Sequence, residues 1–148
     1  MNDWLAIGPA IVERLRERAK SFADVRTAVS IEAAVEQTPR YPAAWVIWRG
    51  DTVIESPAAL ALQQADQQWL VLVAVRDLRD QATGAGVVES AGPLLGEVIS
   101  ALTGFVPPSP SMRLMRASVQ DAPGAMNGVG FFPLAFVSRR SVFIDLQA

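Results

Sequence analysis

The densest group of residues that could do chemistry is Arg76, Asp77, Arg79 and Asp80, alternating guanidinium and carboxylate side chains within one short stretch. Paired carboxylates carry acid–base chemistry when their surroundings push their pKa values apart. Here each carboxylate has an arginine beside it, which holds both ionised. The cluster therefore reads as a solvated loop or an intersubunit ion-pair site ahead of a catalytic dyad. Ser90 with Lys20, the single lysine, makes a nucleophile pair on paper only. Gly84-Ala85-Gly86-Val87-Val88-Glu89 imitates a dinucleotide fingerprint. However, Glu89 stands where the third glycine belongs, a long polar loop separates the motif from the preceding strand, and no second βα unit follows. The sequence contains no Gly-x-Ser-x-Gly elbow, no phosphate loop ending in Gly-Lys and no carboxylate spacing of a calcium loop.

Composition removes more chemistry. There is no histidine, the usual general base and a common metal ligand, and no cysteine for disulfides, thiolate nucleophiles or metal sites. No cofactor and no metal are expected. A net charge of −2 argues against nucleic-acid binding as the main role. Apolar residues make up 51% of the chain, at the high end for a soluble protein, which points either to apolar surface covered by partner subunits or to a rich core. At 148 residues, a single domain spanning 1–148 suffices. The apolar stretch from Leu5 to Ile11 lacks a basic leader and a long apolar core, so no signal peptide is expected.

The element that must organise these residues is Trp69-Leu70-Val71-Leu72-Val73-Ala74-Val75. Both alternating sets are apolar, which predicts a central strand covered on both faces, too short to span a bilayer. Ahead of it, Ile7, Ile11, Leu15, Ala19 and Phe22 form the stripe of a first helix that starts near Asn2 or Asp3, or at Pro9. Val25, Val29 and Ile31 suggest a strand, and Ala33 to Gln37 a short helical turn. A loop through Pro39 and Pro42 leads to a strand from Ala43 to Trp48, with Trp45 and Trp48 on opposite faces, either one in the core and the other at an interface or both buried within the subunit. Arg49-Gly50-Asp51 is expected to turn the chain into a return strand over Thr52–Glu55. This tripeptide also occurs in cell adhesion, but turn chemistry already accounts for it here. Ser56 to Gln68 reads as a hairpin arm or a short helix, apolar at its tip.

Beyond the central strand, Val87 to Leu102 predicts a second helix ended by Gly104. Either Pro93 sits in a first turn capped by Ser90, or a longer helix kinks there. Met112 to Val119 reads as a strand, Gln120 to Gly130 as a loop, and Phe131 to Ser138 as a strand placed at an edge or bulged because of Pro133. Ser141 to Leu146 alternates once more. The fold class is α+β, with a mixed, mainly antiparallel sheet of about five strands flanked by two main helices.

Taken together, the segments resemble the tail terminator proteins of long-tailed bacteriophages. The resemblance rests on Ile11-Val12-Glu13-Arg14-Leu15, Pro42-Ala43-Ala44-Trp45-Val46-Ile47, Trp69 to Val75, Ala101-Leu102-Thr103-Gly104-Phe105-Val106-Pro107 and Gly130-Phe131-Phe132-Pro133-Leu134-Ala135-Phe136. It implies a non-enzymatic subunit of a ring, expected to be a hexamer, that caps the tail tube, stops its polymerisation and offers a surface to head-completion or neck proteins. The implied partners are further copies of the chain, the tail tube protein and a head-completion protein, with no membrane and with DNA only as passing cargo. The implied location is the virion tail, and the host cytoplasm during assembly. A cyclic ring needs two unlike patches per subunit. Candidate interface residues are Leu60, Leu62 and Gln64 in the arm, Arg76, Asp77, Arg79 and Asp80 in the charged loop, and Arg139, Arg140, Val142 and Ile144 near the end. The last segment is expected to pair with a neighbouring sheet edge while the two arginines discourage wrong pairing. The alternatives are a neck or tail-completion protein, and a small α+β enzyme or ligand-binding domain with a polar cavity near Asp77 and Asp80.

Overall fold

Alternation of apolar residues on both faces produces one long strand at the middle of the molecule. The computed structural model describes residues 3–38, 40–54, 61–108 and 110–144. Three helices and a six-stranded sheet follow in the order α1 (Ile7–Arg18), β1 (Asp24–Ala28), α2 (Ile31–Gln37), β2 (Ala43–Ile54), β3 (Leu62–Arg76), α3 (Ala85–Leu102), β4 (Met115–Ala117), β5 (Gly124–Met126) and β6 (Val129–Phe143). The sheet runs β1-β2-β3-β6-β4, with β5 also on β6. Among the described residues, only β1 and β2 pair in parallel. The α+β class and the mainly antiparallel sheet are as expected, with one strand more than the sequence suggested.

Trp69–Val75 lies inside β3, flanked by β2 and β6, and every residue of it is buried. Trp69, Val71, Val73 and Val75 face the larger core, where Ile7, Ile11 and Leu15 of α1 meet Val87, Ala91, Val98 and Leu102 of α3. Leu70 and Leu72 face a smaller core with Trp45, Ile47 and Ala34 of α2. Trp45 is enclosed there, and its indole N–H donates to Thr38 Oγ1 at 3.0 Å. Trp48, three residues on and so on the other face, is 38% exposed, which sets aside the alternative that both tryptophans are buried within the subunit. α3 is long and apolar enough by length and composition to cross a membrane, yet its apolar face is that of a core helix packed on the sheet.

Several elements differ from the sequence reading. β1 ends at Ala28 rather than continuing to Ile31, because Ser30 accepts a hydrogen bond from the Ala33 amide and caps α2. Val29 is left 89% exposed. Arg49-Gly50-Asp51 makes no hairpin turn. The strand runs through it with a bulge, the register passing from Trp48↔Trp69 to Asp51↔Gln67 so that Arg49 and Gly50 oppose Gln68 alone. Gly50 takes the extra residue at φ +96°, a conformation glycine tolerates. From residue 62 to 68 the arm is strand that extends β3 without a break, and residues 56–60 of it, with most of the apolar tip expected over Pro57–Leu62, lie outside the described residues.

Of the two readings of Pro93, the longer helix holds: it lies inside a single α3, on the exposed side, where the carbonyl left unpaired by its missing N–H is open to solvent. Gly104, at φ +84°, follows the helix end as expected. Met112–Val119 contributes only the three residues of β4. The expected loop over Gln120–Gly130 hides β5, joined to β6 through Asn127 and Gly128 at φ +54° and +78°. Asn-Gly with both residues left-handed is the favoured two-residue hairpin turn. The strand bearing Pro133 is not at the edge. β6 pairs along its whole length with β3, but β5 reaches only Val129–Phe131 and β4 only Ala135–Val137. Pro133 falls in the gap between them, where a missing donor is tolerated.

Candidate functional site

β3 separates the candidate residues into two groups at its ends, roughly 45 Å apart at the usual rise per residue. At one end lies the charged loop. Arg76 closes β3 and is exposed. Asp77 Oδ1 accepts from the Arg79 amide at 3.0 Å and from Arg79 Nε at 3.0 Å. Its Oδ2 accepts from Arg79 Nη2 at 2.7 Å and from Ser90 Oγ at 2.6 Å. Arg79 first, then Ser90, holds the Asp77 carboxyl well below the usual carboxylate range, and Asp77 in turn raises Arg79. Asp80 sits at φ +51° on the exposed turn.

This geometry organises a loop. Asp77 is committed to four donors and Ser90 spends its hydroxyl on Asp77, so the Ser90–Lys20 pair does not form. Gly86 also has a structural use. A Cβ there would collide with the Arg79 carbonyl and come within 3.0 Å of Asp77 Oδ1, so the glycine lets the loop lie against the first turn of α3. The Asp77 carboxylate thus lies beside the first turn of α3. The cavity that Asp77 and Arg79 line, with Gly84 and Val87, is about 10 Å3, room for about one water molecule. The alternative reading of a ligand-binding domain calls for a polar cavity near Asp77 and Asp80, and the cavity found at Asp77 among the described residues is too small for a ligand.

At the other end, β2, β3 and β6 run on together as a three-stranded blade. Leu62 pairs with Phe143 and is half-buried, and Gln64 pairs with Ser141, donating from Nε2 to its Oγ at 3.1 Å. Arg139 bridges Asp66 directly opposite, Nε to Oδ1 at 2.9 Å, and this carboxylate raises its pKa. Val142 pairs with Gln63. Ile144 is exposed and donates its amide to the Ala61 carbonyl at 2.8 Å. Leu60 lies outside the described residues. Phe143 and Val53 are each 67% exposed on the blade, so its surface is apolar as well as polar.

Two assignments change. The start of the last segment, Ser141–Phe143, is the end of β6 and already pairs with Leu62–Gln64 of its own chain. Arg140 is no edge guard. It is 4% exposed, and its guanidinium donates to the carbonyls of Pro108 and Asp3, at 3.1 and 2.8 Å, and to Ser111 Oγ. Gln67 performs a matching task on the same face of the blade. Fully enclosed, it donates from Nε2 to the Trp4 carbonyl at 2.6 Å and accepts from Trp69 Nε1 at 3.1 Å. Trp4 Nε1 donates to Asp51 Oδ2 at 2.8 Å. Asp3 and Trp4 are thus fastened across the root of the blade by side chains from all three strands. Sequence reading missed this contact, although a glutamine in the alternating set with Trp69 was a signal for it.

A second feature was also missed. A groove of about 650 Å3 opens beside Trp48, lined by Leu5, Pro9, Val29 and Gln37 among others. It has no nucleophile–base pair. Among the described residues, no group of three or more aspartates and glutamates could hold a metal ion.

Comparison with known proteins gives the same direction. The family model for the phage tail terminator protein matches residues 1–142. No curated protein matches the sequence. Among 24 matching chains of solved structures is one from the virion of a native gene transfer agent particle. It is 16% identical with a TM-score of 0.62, over 93% of this chain and 96% of the other. At that identity the likeness speaks for the fold.

Proposed function

The chain belongs to the phage tail terminator family, a family of structural virion proteins and not of enzymes, and from that premise we propose that it forms a ring closing the tail tube. In this reading copies of the chain, six by expectation, sit on the last tube ring, stop further polymerisation and offer their outer face to a head-completion protein. The virion tail is its site of action and the host cytoplasm its site of assembly. DNA passes through the ring.

The observation that carries the reading is the family match over residues 1–142. The architecture supports it physically. One rigid strand holds two unlike ends, a charged loop fixed by Asp77 and a blade with exposed Phe143 and Val53. A capping subunit must present different chemistry to the tube and to the head, and a rigid spacer keeps those surfaces apart. The blade, with Leu62, Gln64, Val142 and Ile144, and the loop, with Arg76 and Asp80, are the proposed docking elements. The test is a mass measurement of the purified protein with and without tail tube protein, alongside tube lengths seen by electron microscopy. Ring-sized complexes on tube ends, with shorter tubes as the chain is added, are expected. Tubes that elongate unchecked with no bound chain would refute the proposal.

A further inference from the structure

We propose that the β1–α2 end of one subunit docks against the β4 edge of the next copy, with opposite charge setting the pairing. This rests on the ring reading above and names the surfaces that would close the ring.

β1 and β4 stand at opposite ends of the sheet order. A closed ring requires two different patches pointing opposite ways, and the two ends of one sheet satisfy that geometry. α2 follows β1 and packs on that end of the sheet, with Ala34 turned into the smaller core. Its outer surface carries Glu32 and Glu36, one helical turn apart and exposed, beside the exposed Val35. Among the described residues neither carboxylate has an ion-pair partner.

The far edge carries the opposite sign. Arg113 and Arg116 are exposed on β4 and the segment leading into it, beside the exposed Met112 and Met115. They too lack ion-pair partners among the described residues, whereas Arg26, Arg49, Arg79 and Arg139 each have a carboxylate of their own chain. Unspent carboxylates at one end and unspent guanidiniums at the other, each beside exposed apolar side chains, suit an interface with an apolar centre and a charged rim. A two-fold contact of α2 with α2 would set like charges together, so the same residues oppose the wrong pairing.

The test uses three full-length chains, Arg113→Glu/Arg116→Glu, Glu32→Arg/Glu36→Arg, and one with all four changes. Self-association is measured by sedimentation velocity and mass photometry, alone and with tail tube protein, and circular dichroism checks the fold. Each reversed chain should associate at least about tenfold more weakly than the unaltered one. The chain with all four changes has complementary ends again and should recover. Reversed chains that assemble like the original, or a four-change chain that stays dispersed, would overturn this pairing while the ring reading stands. An unaltered chain that never self-associates, even with tail tube protein, would remove both.

Discussion

Replacing Gln67 with leucine tests whether a polar side chain inside the larger core is there to hold the N-terminal segment. Gln67 is fully enclosed, and its amide joins the Trp4 carbonyl to the Trp69 indole. Leucine of similar size removes both hydrogen bonds without opening a large cavity. Trp69 is buried, so its N–H is stranded away from water at a cost of about 1–3 kcal/mol. Trp4 lies nearer the surface, and its carbonyl regains water once the segment lifts, adding roughly 0.5 kcal/mol. The extra apolar surface of leucine offsets part of this, leaving a loss of about 2 kcal/mol, or roughly 4–8 °C in melting temperature for a chain of this size. Urea unfolding at one fixed protein concentration measures it, because self-association would otherwise contribute. Trp69→Phe removes the donor, so Gln67→Leu should cost about 1 kcal/mol less in that background. A loss under about 0.5 kcal/mol, or identical losses in both backgrounds, would refute the assignment of Gln67 to this network.

Gly8→Ala should destabilise by about 1–2 kcal/mol in thermal unfolding, because a Cβ there meets the Trp69 ring at 2.9 Å inside the core, outweighing the gain in helix propensity. Gly128→Ala should lose about 1–3 kcal/mol, since the residue sits at φ +78° and a Cβ would approach Leu78 Cδ2 to 2.7 Å; wild-type stability would refute the hairpin turn. Asp77→Asn should be less stable than the parent at neutral pH. The folded carboxyl lies below its unfolded value, so its contribution is present above about pH 4 and is lost as pH falls toward the folded pKa. The deficit of the variant should therefore shrink in acid, and a constant deficit in urea unfolding would count against the Asp77–Arg79–Ser90 contacts. Removing the residues after Arg140 strips the rungs opposite Leu62–Gln64 and should leave a folded chain that caps tail tubes less well; tube ends capped as by the full chain, seen by electron microscopy, would dismiss the blade end as a docking element.

Trp69–Val75 could be placed from sequence because strict alternation of two apolar sets leaves no face for solvent, and only an interior strand offers that environment. The α1 stripe and the Gly104 helix end were legible for the same kind of reason, since period and backbone conformation are local properties. The absence of histidine and cysteine also restricted function before any fold was known. The charged loop could be located but not interpreted. Whether Asp77 is a base or a brace depends on Arg79 and Ser90, and Ser90 reaches it only because α3 packs beside the loop. Arg49-Gly50-Asp51 has the composition of a turn, and it stays in the strand because β3 continues opposite it and holds the register across a bulge. Pro133 is interior because two short strands leave a gap beside it. Arg140 is enclosed because the chain's beginning lies over the blade, a contact between residues 137 positions apart. Local patterning determined which residues must leave water. Only the packing of distant segments decided which polar groups they would meet once there, because hydrogen-bond partners far apart in the chain leave no period to read.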